Sequence, residues 1–314
     1  MPSQKKQSAA TEPVPFKFDE SLAFLHEFET ALYDADRSPA TVASYCLATQ
    51  QFAEWLTVER AESYVTMREF VRAITPTDVR QYRATLEKTK LAPGTINRRL
   101  VTLRVLARWA RQAGLIEGDP VNGIKLVKEV QTAPRWLDRK EQYALRRAAE
   151  KDGDPRNLAI ILLMLNTGLR VSEVAGLKLE DVTLGERKGE VVVRGKGNKE
   201  RTVPLNAEAR KALRAYLDQR PKTDLPNFFI GQRRETLGKL GIQYQVATLA
   251  RLANLEHCTP HTLRHTFAKN LIDTGVSIDR VALLLGHRNL TTTARYTRAS
   301  QADLAREVEK LGEV

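Results

Sequence analysis

The sequence predicts a mainly α protein of two domains, a four-helix N-terminal bundle followed by an α-rich domain with a small antiparallel β-sheet. Three observations predict it. Apolar residues recur at helical spacing through most of the chain. The pattern breaks over 117–136, where Gly, Pro and mixed charge take over. Only two short runs, 190–194 and 200–204, have the composition of strands, and a Gly-rich turn separates them.

Residues 1–15 are polar with three prolines, and are expected to be a flexible tail. The first domain is expected over 16–120. In its first helix, 18–35, the residues Leu22, Leu25, Phe28, Ala31 and Leu32 form one face. A second helix opens at Ser38-Pro39, an N-cap followed by proline at the first helical position, and runs through Tyr45, Phe52 and Trp55. A third opens in the same way at Thr75-Pro76, with Asp78 in its first turn, and ends near Leu86. The fourth spans 93–112, with Gly114 behind it as a stop. Its apolar stripe is Ile96, Leu100, Leu103, Ala107 and Ala110. Arg98 lies near its start, and Arg104, Arg108 and Arg111 follow at i, i+4, i+7 on another face. Short loops between four such helices make a bundle.

A linker is expected over 121–134 and the second domain over 135–314. This domain opens with a helix at 137–150. The next, 157–166, is apolar all round and therefore buried, with Gly168 as its stop. The strands 190–194 and 200–204 pair through the turn Gly195-Lys196-Gly197-Asn198-Lys199. Helices follow at 207–219, 242–253, 260–274 and 277–285. A short helix carries Tyr296 and a last one spans 301–311.

Composition narrows the function. Across 314 residues the formal charge is +12, which points to a polyanionic partner, nucleic acid first. Apolar residues make up 42% of the chain, enough for two sizeable cores. Cys46 and Cys258 have no ligand spacing and read as thiols of a reducing compartment. The N-terminus lacks the apolar region of a signal peptide. The longest apolar run, 158–165, is far short of the about 20 residues that span a bilayer. A cytoplasmic location is expected.

The chemistry concentrates in the last half, in the strings TGLRVSE, RGKGNKERTVPL, HTLRHTFA and LLGHRNLTTTARYT. They supply Arg170, Lys196, His261, Arg264, His287 and Tyr296. The planar fork of arginine matches two phosphate oxygens. Lys196, between glycines, can approach a ligand closely and give a proton to a leaving oxygen, with Lys199 its nearest competitor. His261 and His265 have the four-residue spacing of a zinc helix, but Thr262 stands where that motif carries an acid, and Arg264 would set a cation beside the metal. His261 is expected to face phosphate and His265 the core. A phenol is a weak nucleophile unless cations or a base favour phenolate, and Tyr296 has both in reach of its motif set. Together the groups suit attack on a DNA phosphodiester. Tyr296 attacks phosphorus, while Arg170, Arg264 and His287 stabilise the non-bridging oxygens. His261 helps move the tyrosine proton, and Lys196 protonates the departing 5′ oxygen. Fixed cations then stand where other phosphoryl-transfer enzymes use a divalent metal, and no cofactor is expected.

These four strings, in this order and spacing, resemble the tyrosine recombinase (phage integrase) family. The likeness extends over nearly all of the chain beyond the tail, and is greatest to the simple two-domain members, the Xer-type recombinases. The resemblance implies a core-binding bundle followed by a catalytic domain, closing as a C-shaped clamp around DNA. It implies cleavage and rejoining through a 3′-phosphotyrosine intermediate. Its two arginines, hairpin lysine, two histidines and tyrosine fall on Arg170, Arg264, Lys196, His261, His287 and Tyr296. Glu173 matches an acidic position that supports the site. Helices 41–56 and 95–112 match the pair that approaches the major groove, making Arg98, Arg104, Arg108 and Arg111 the expected DNA contacts. The implied partner is double-stranded DNA with an inverted-repeat core site, held by a homotetramer on two duplexes or by a tetramer shared with a paralogous subunit. Leu304, Val308 and Leu311 form a terminal stripe expected to dock on a neighbouring subunit. With only about 15 residues ahead of the bundle, the arm-binding domain of many phage integrases is not expected. Dimer resolution with a part in chromosome partition, or recombination of a mobile element, are the roles implied. Two other readings compete. A type IB topoisomerase uses the same chemistry without exchanging partners, and the terminal stripe argues against it. A non-cutting DNA-binding protein of this fold would lack a catalytic residue, and none is missing.

Overall fold

The computed structural model describes residues 18, 20–129, 134–194, 200–286 and 293. The chain divides into two compact units, Met1–Gln131 and Thr132–Val314.

The first unit is helical. A 3-10 segment, Glu20–Leu25, leads into α1 (His26–Asp34), followed by α2 (Pro39–Arg60), α3 (Met67–Ala73), α4 (Pro76–Lys88) and α5 (Pro93–Gln112). The helix starts obey local chemistry. The Ser38 hydroxyl accepts from the Thr41 amide, and Pro39 needs no partner for an N–H it lacks. Thr66 with Glu69, and Thr75 with Asp78, form reciprocal capping boxes. At the end of α5, Gly114 is left-handed at φ 66° and the Leu115 amide reaches back to the Ala110 carbonyl. Phe28, Phe52, Phe70, Leu56, Leu100 and Leu106 are fully buried at the centre.

Two expectations change here. The bundle has five α-helices among the described residues rather than four. The seven-residue α3 is too short to show a period, although its Thr66-x-x-Glu69 box was in plain view. The stretch expected as a linker packs on the first unit as far as Glu129. Val121 and Ile124 are buried in its core. The buried Asn97 side chain donates to the Val127 carbonyl (2.9 Å) and to Glu129 (2.7 Å), and accepts from the Val127 amide (2.8 Å). Arg104 donates to the Ile124 carbonyl, 2.5 Å, and Arg83 to that of Lys125, 2.8 Å.

The second unit is built around α7. Its elements are α6 (Arg139–Asp152), α7 (Pro155–Thr167), α8 (Val171–Ala175), β1 (Val182–Leu184), β2 (Gly189–Arg194), β3 (Glu200–Pro204), α9 (Ala207–Gln219), α10 (Lys239–Leu252), α11 (Pro260–Asp273) and α12 (Ile278–Leu285). Apolar on every side, α7 packs against α6, α9 and α11. The sheet is antiparallel in the order β1-β2-β3. Val191 pairs with Val203 and Val193 with Arg201, so Arg201 lies on the same inward face as three buried valines. β1, with three residues, and α8, with five, are too short to have been expected from periodicity. Cys46 and Cys258 are both buried. No described helix is long and apolar enough to cross a membrane. The helices expected around Tyr296 and over 301–311 lie outside the described residues.

Candidate active site

The site is assembled on the C-terminus of α12. Gly286 ends that helix in the left-handed conformation, φ 65°. Three successive carbonyls at this end each accept from a different arginine. Arg201 Nε donates to Leu284 O (3.0 Å), Arg264 Nη2 to Leu285 O (2.7 Å) and Arg170 Nη2 to Gly286 O (3.4 Å). The physical reason is the helix end itself. Its last carbonyls have no partners within the helix and carry the negative pole of its dipole, so guanidiniums settle there.

Arg264 comes from α11, one turn after the Thr259 cap, and is only 4% exposed. Its other terminal nitrogen donates to the Gly168 carbonyl, 2.6 Å, at the end of α7. Two helix C-termini thus share one buried cation. Gly168 is left-handed at φ 62°, and a β-carbon there would stand 2.4 Å from Phe267 and 2.8 Å from Leu285. The tight Gly-Leu step before Arg170 is required by this packing.

Arg170 is the N-cap of α8, and its side chain is 39% exposed. Glu173, one turn on, reaches back to it twice, accepting from the Arg170 amide (2.7 Å) and from Nη1 (2.8 Å). The Glu173 side chain is only 7% exposed, and burial alone would push its carboxyl up. The hydrogen bonds from Arg201 and the Arg170 amide, with the two guanidinium charges, outweigh burial and hold it below the ordinary carboxylate range.

Arg201 is the residue that sequence reasoning missed. It grips Glu173 with both terminal nitrogens, 2.9 Å each. The available signal was strand alternation. An arginine on the face of Val203 points inward, and an inward guanidinium needs an acid.

His261 sits exposed in the first turn of α11, its ring centroid 6.3 Å from that of the half-buried His265. Among the described residues, no three His, Cys, Asp or Glu side chains form a group able to hold a metal ion. Lys196, His287 and Tyr296 lie outside the described residues. The structure therefore brings together Arg170, Glu173 and Arg264, and His287 follows Gly286 directly in sequence. In the first unit, α5 exposes Arg98, Arg108 and Arg111, whereas Arg104 is half-buried through its bond to Ile124.

Comparison with known proteins agrees with this architecture. The profile of the phage integrase family matches residues 135–303, and that of the phage integrase N-terminal SAM-like domain matches residues 25–114. The chain belongs to the phage integrase family and is a tyrosine recombinase. It is 33% identical over 282 residues to the tyrosine recombinase XerC of Pelobacter propionicus, covering 88% of this chain and 90% of that protein. Tyrosine recombinase XerC of Treponema denticola is 32% identical over 286 residues, covering 84% and 90%. The fold matches that of XerH site-specific recombinase in a post-cleavage complex with palindromic difH substrate. The TM-score is 0.72 at 22% identity, covering 94% of this chain and 88% of that one.

Proposed function

We propose that this site-specific DNA recombinase cuts and rejoins strands through a 3′-phosphotyrosine on Tyr296. The phenolic oxygen attacks the scissile phosphorus, the bond from phosphorus to the 5′ oxygen breaks, and the strand is left joined to the enzyme by its 3′ phosphate. Arg170, Arg264 and His287 hold the non-bridging oxygens as charge builds on them. His261 helps move the phenolic proton, and Lys196 protonates the leaving 5′ oxygen. Because the phosphodiester is exchanged rather than hydrolysed, the reverse step rejoins strands without an external energy source. What supports the reading is the meeting of Arg170 and Arg264 on the main chain at 285–286, with His287 the next residue.

The DNA is a duplex with an inverted-repeat core site. The first unit grips it through α5, where Arg98, Arg108 and Arg111 meet phosphates or base edges. Four subunits assemble on two duplexes, all of one kind or shared with a paralogous chain. The role is Xer-like resolution of dimers in chromosome partition, or recombination of a mobile element, in the cytoplasm.

A duplex nicked near the cleavage point lets the short fragment that carries the new 5′ hydroxyl diffuse away and traps the covalent species. The protein is expected to accumulate a DNA adduct on this substrate, and Tyr296→Phe to form none. An adduct that persists in Tyr296→Phe removes Tyr296 as the nucleophile.

A further inference from the structure

The geometry points to Arg201 as a positioning residue for strand cleavage, the standing counter-ion of Glu173 that leaves Arg170 free to turn to phosphate. The inference rests on the phosphotyrosine reading and assigns a role to a residue outside the six expected catalytic groups.

The two arginines share Glu173 unequally. Arg201 meets it fork to fork, Nη1 on Oε1 and Nη2 on Oε2, both at 2.9 Å, and its Nε is committed to Leu284. Its side chain is 16% exposed, so it is held and largely dry. Arg170 uses one side-chain nitrogen on the same carboxylate, keeps a long 3.4 Å contact to Gly286, and is 39% exposed. One arginine is locked and the other is half available.

That asymmetry has a chemical use. A carboxylate as buried as Glu173 cannot be left without a cation, because an uncompensated buried charge is strongly unfavourable. Were Arg170 its only counter-ion, turning Arg170 toward a phosphate would strand the carboxylate. The bidentate pair with Arg201 removes that obstacle. The backbone bond from the Arg170 amide to Glu173 then fixes where Arg170 starts, while its guanidinium remains to be shared.

Arg201 also packs against Gly286, the residue before His287 in sequence. A β-carbon on Gly286 would stand 3.1–3.2 Å from the Arg201 guanidinium and its Cδ, so the main chain runs directly against this side chain. β3, which begins four residues after Lys196 in sequence, is thereby tied to the end of α12.

The test is single-turnover cleavage of the nicked duplex by the full chain, with duplex affinity and thermal stability measured alongside. Arg201→Gln is expected to slow cleavage by about 30-fold or more while duplex affinity changes less than about threefold, because the loss falls on the transition state. In the double variant Arg201→Gln/Glu173→Gln no buried carboxylate captures Arg170. It is expected to cleave at least about tenfold faster than Arg201→Gln, the non-additivity expected of directly coupled groups. Arg201→Lys, which keeps the charge but not the fork, should fall between, more than about threefold slower than the parent, and it carries the test if Arg201→Gln does not fold. An Arg201→Gln or Arg201→Lys rate within about threefold of the parent overturns the proposal. So does a double variant no faster than Arg201→Gln, which is the behaviour of a residue that only supports the fold. The parent and Tyr296→Phe are run together. Failure of the parent to form an adduct sinks the phosphotyrosine reading, and this inference with it.

Discussion

Gly168 has no room for a β-carbon. Its φ of 62° already penalises any L side chain, and the added atom would overlap Phe267 at 2.4 Å. Gly153 has a similar backbone, φ 77°, but open space around it. The pair separates two costs. Gly153→Ala should cost only the left-handed penalty, about 1 kcal/mol. Gly168→Ala should add overpacking, for a total of about 2–4 kcal/mol, and lower the melting temperature of the second unit by roughly 5–10 °C. Differential scanning calorimetry of both variants checks this, and equal shifts would mean that α11 and α12 give way at little cost. At this scale the sequence was informative wherever a role lies in a short string. TGLR showed a stop followed by a cation, and HTLRH two bases and a guanidinium on one helix start. It could not show Arg201 holding Glu173, because the partners are separated by most of the sheet and meet only when β3 folds against α8.

Helix starts are the elements most plainly written in the chain, and the start of α4 is the most demanding of them. Asp78 is buried, yet it accepts from the Thr75 amide and hydroxyl (2.7 Å each) and from Arg60 at 3.2 Å and 2.6 Å. Burial pushes its carboxyl up, and the bonds from Thr75 and Arg60 overcome this and hold it below the ordinary range. A carboxyl whose folded pKa lies below its unfolded value binds protons more readily when unfolded. Its contribution is therefore complete above the unfolded pKa, about 4, and is lost as the pH falls through the lower folded value. Asp78→Ala should cost about 2 kcal/mol at neutral pH, and Asp78→Asn should weaken the acid sensitivity of α4. Hydrogen exchange across α4 between neutral and acidic pH measures both, and identical acid profiles for parent and Asp78→Asn would reject the assignment. The elements that sequence reasoning did not expect have physical reasons for being obscure. α3, α8 and β1 are shorter than any periodic window. Residues 121–129 have the composition of a linker, and what orders them comes from other helices: the triple grip of Asn97, the bonds from Arg83 and Arg104, and the core that buries Val121 and Ile124.

For the whole molecule the governing quantity is charge. A formal +12 on 314 residues predicts that log affinity for a duplex falls linearly with log salt. Arg98, Arg108 and Arg111 are exposed on α5. Each that neutralises a phosphate should reduce the slope by about 0.9 when changed to Gln. Arg104→Gln should act differently, loosening the Ile124 segment as well, because its guanidinium is engaged within the unit. Filter-binding isotherms over a range of salt decide this, and three unchanged slopes would take α5 out of the DNA footprint. Net charge, the two-part division and the family resemblance were all legible from the sequence, since each is a sum or a string. The convergence of cations on one helix end was not, since it depends on how α7, α11, α12 and β3 meet.

The acceptors at the end of α12 belong to the main chain, and this shapes how the protein can change. Exchanging one side chain of that helix for another deletes none of them, so spelling is free to drift there as long as the fold holds. Adding or removing a single residue is a different event. It would advance or retard the helix by about 100° and about 1.5 Å, turning three oxygens out of phase with three guanidiniums in one step. The length of α12, more than its composition, is the quantity under restraint.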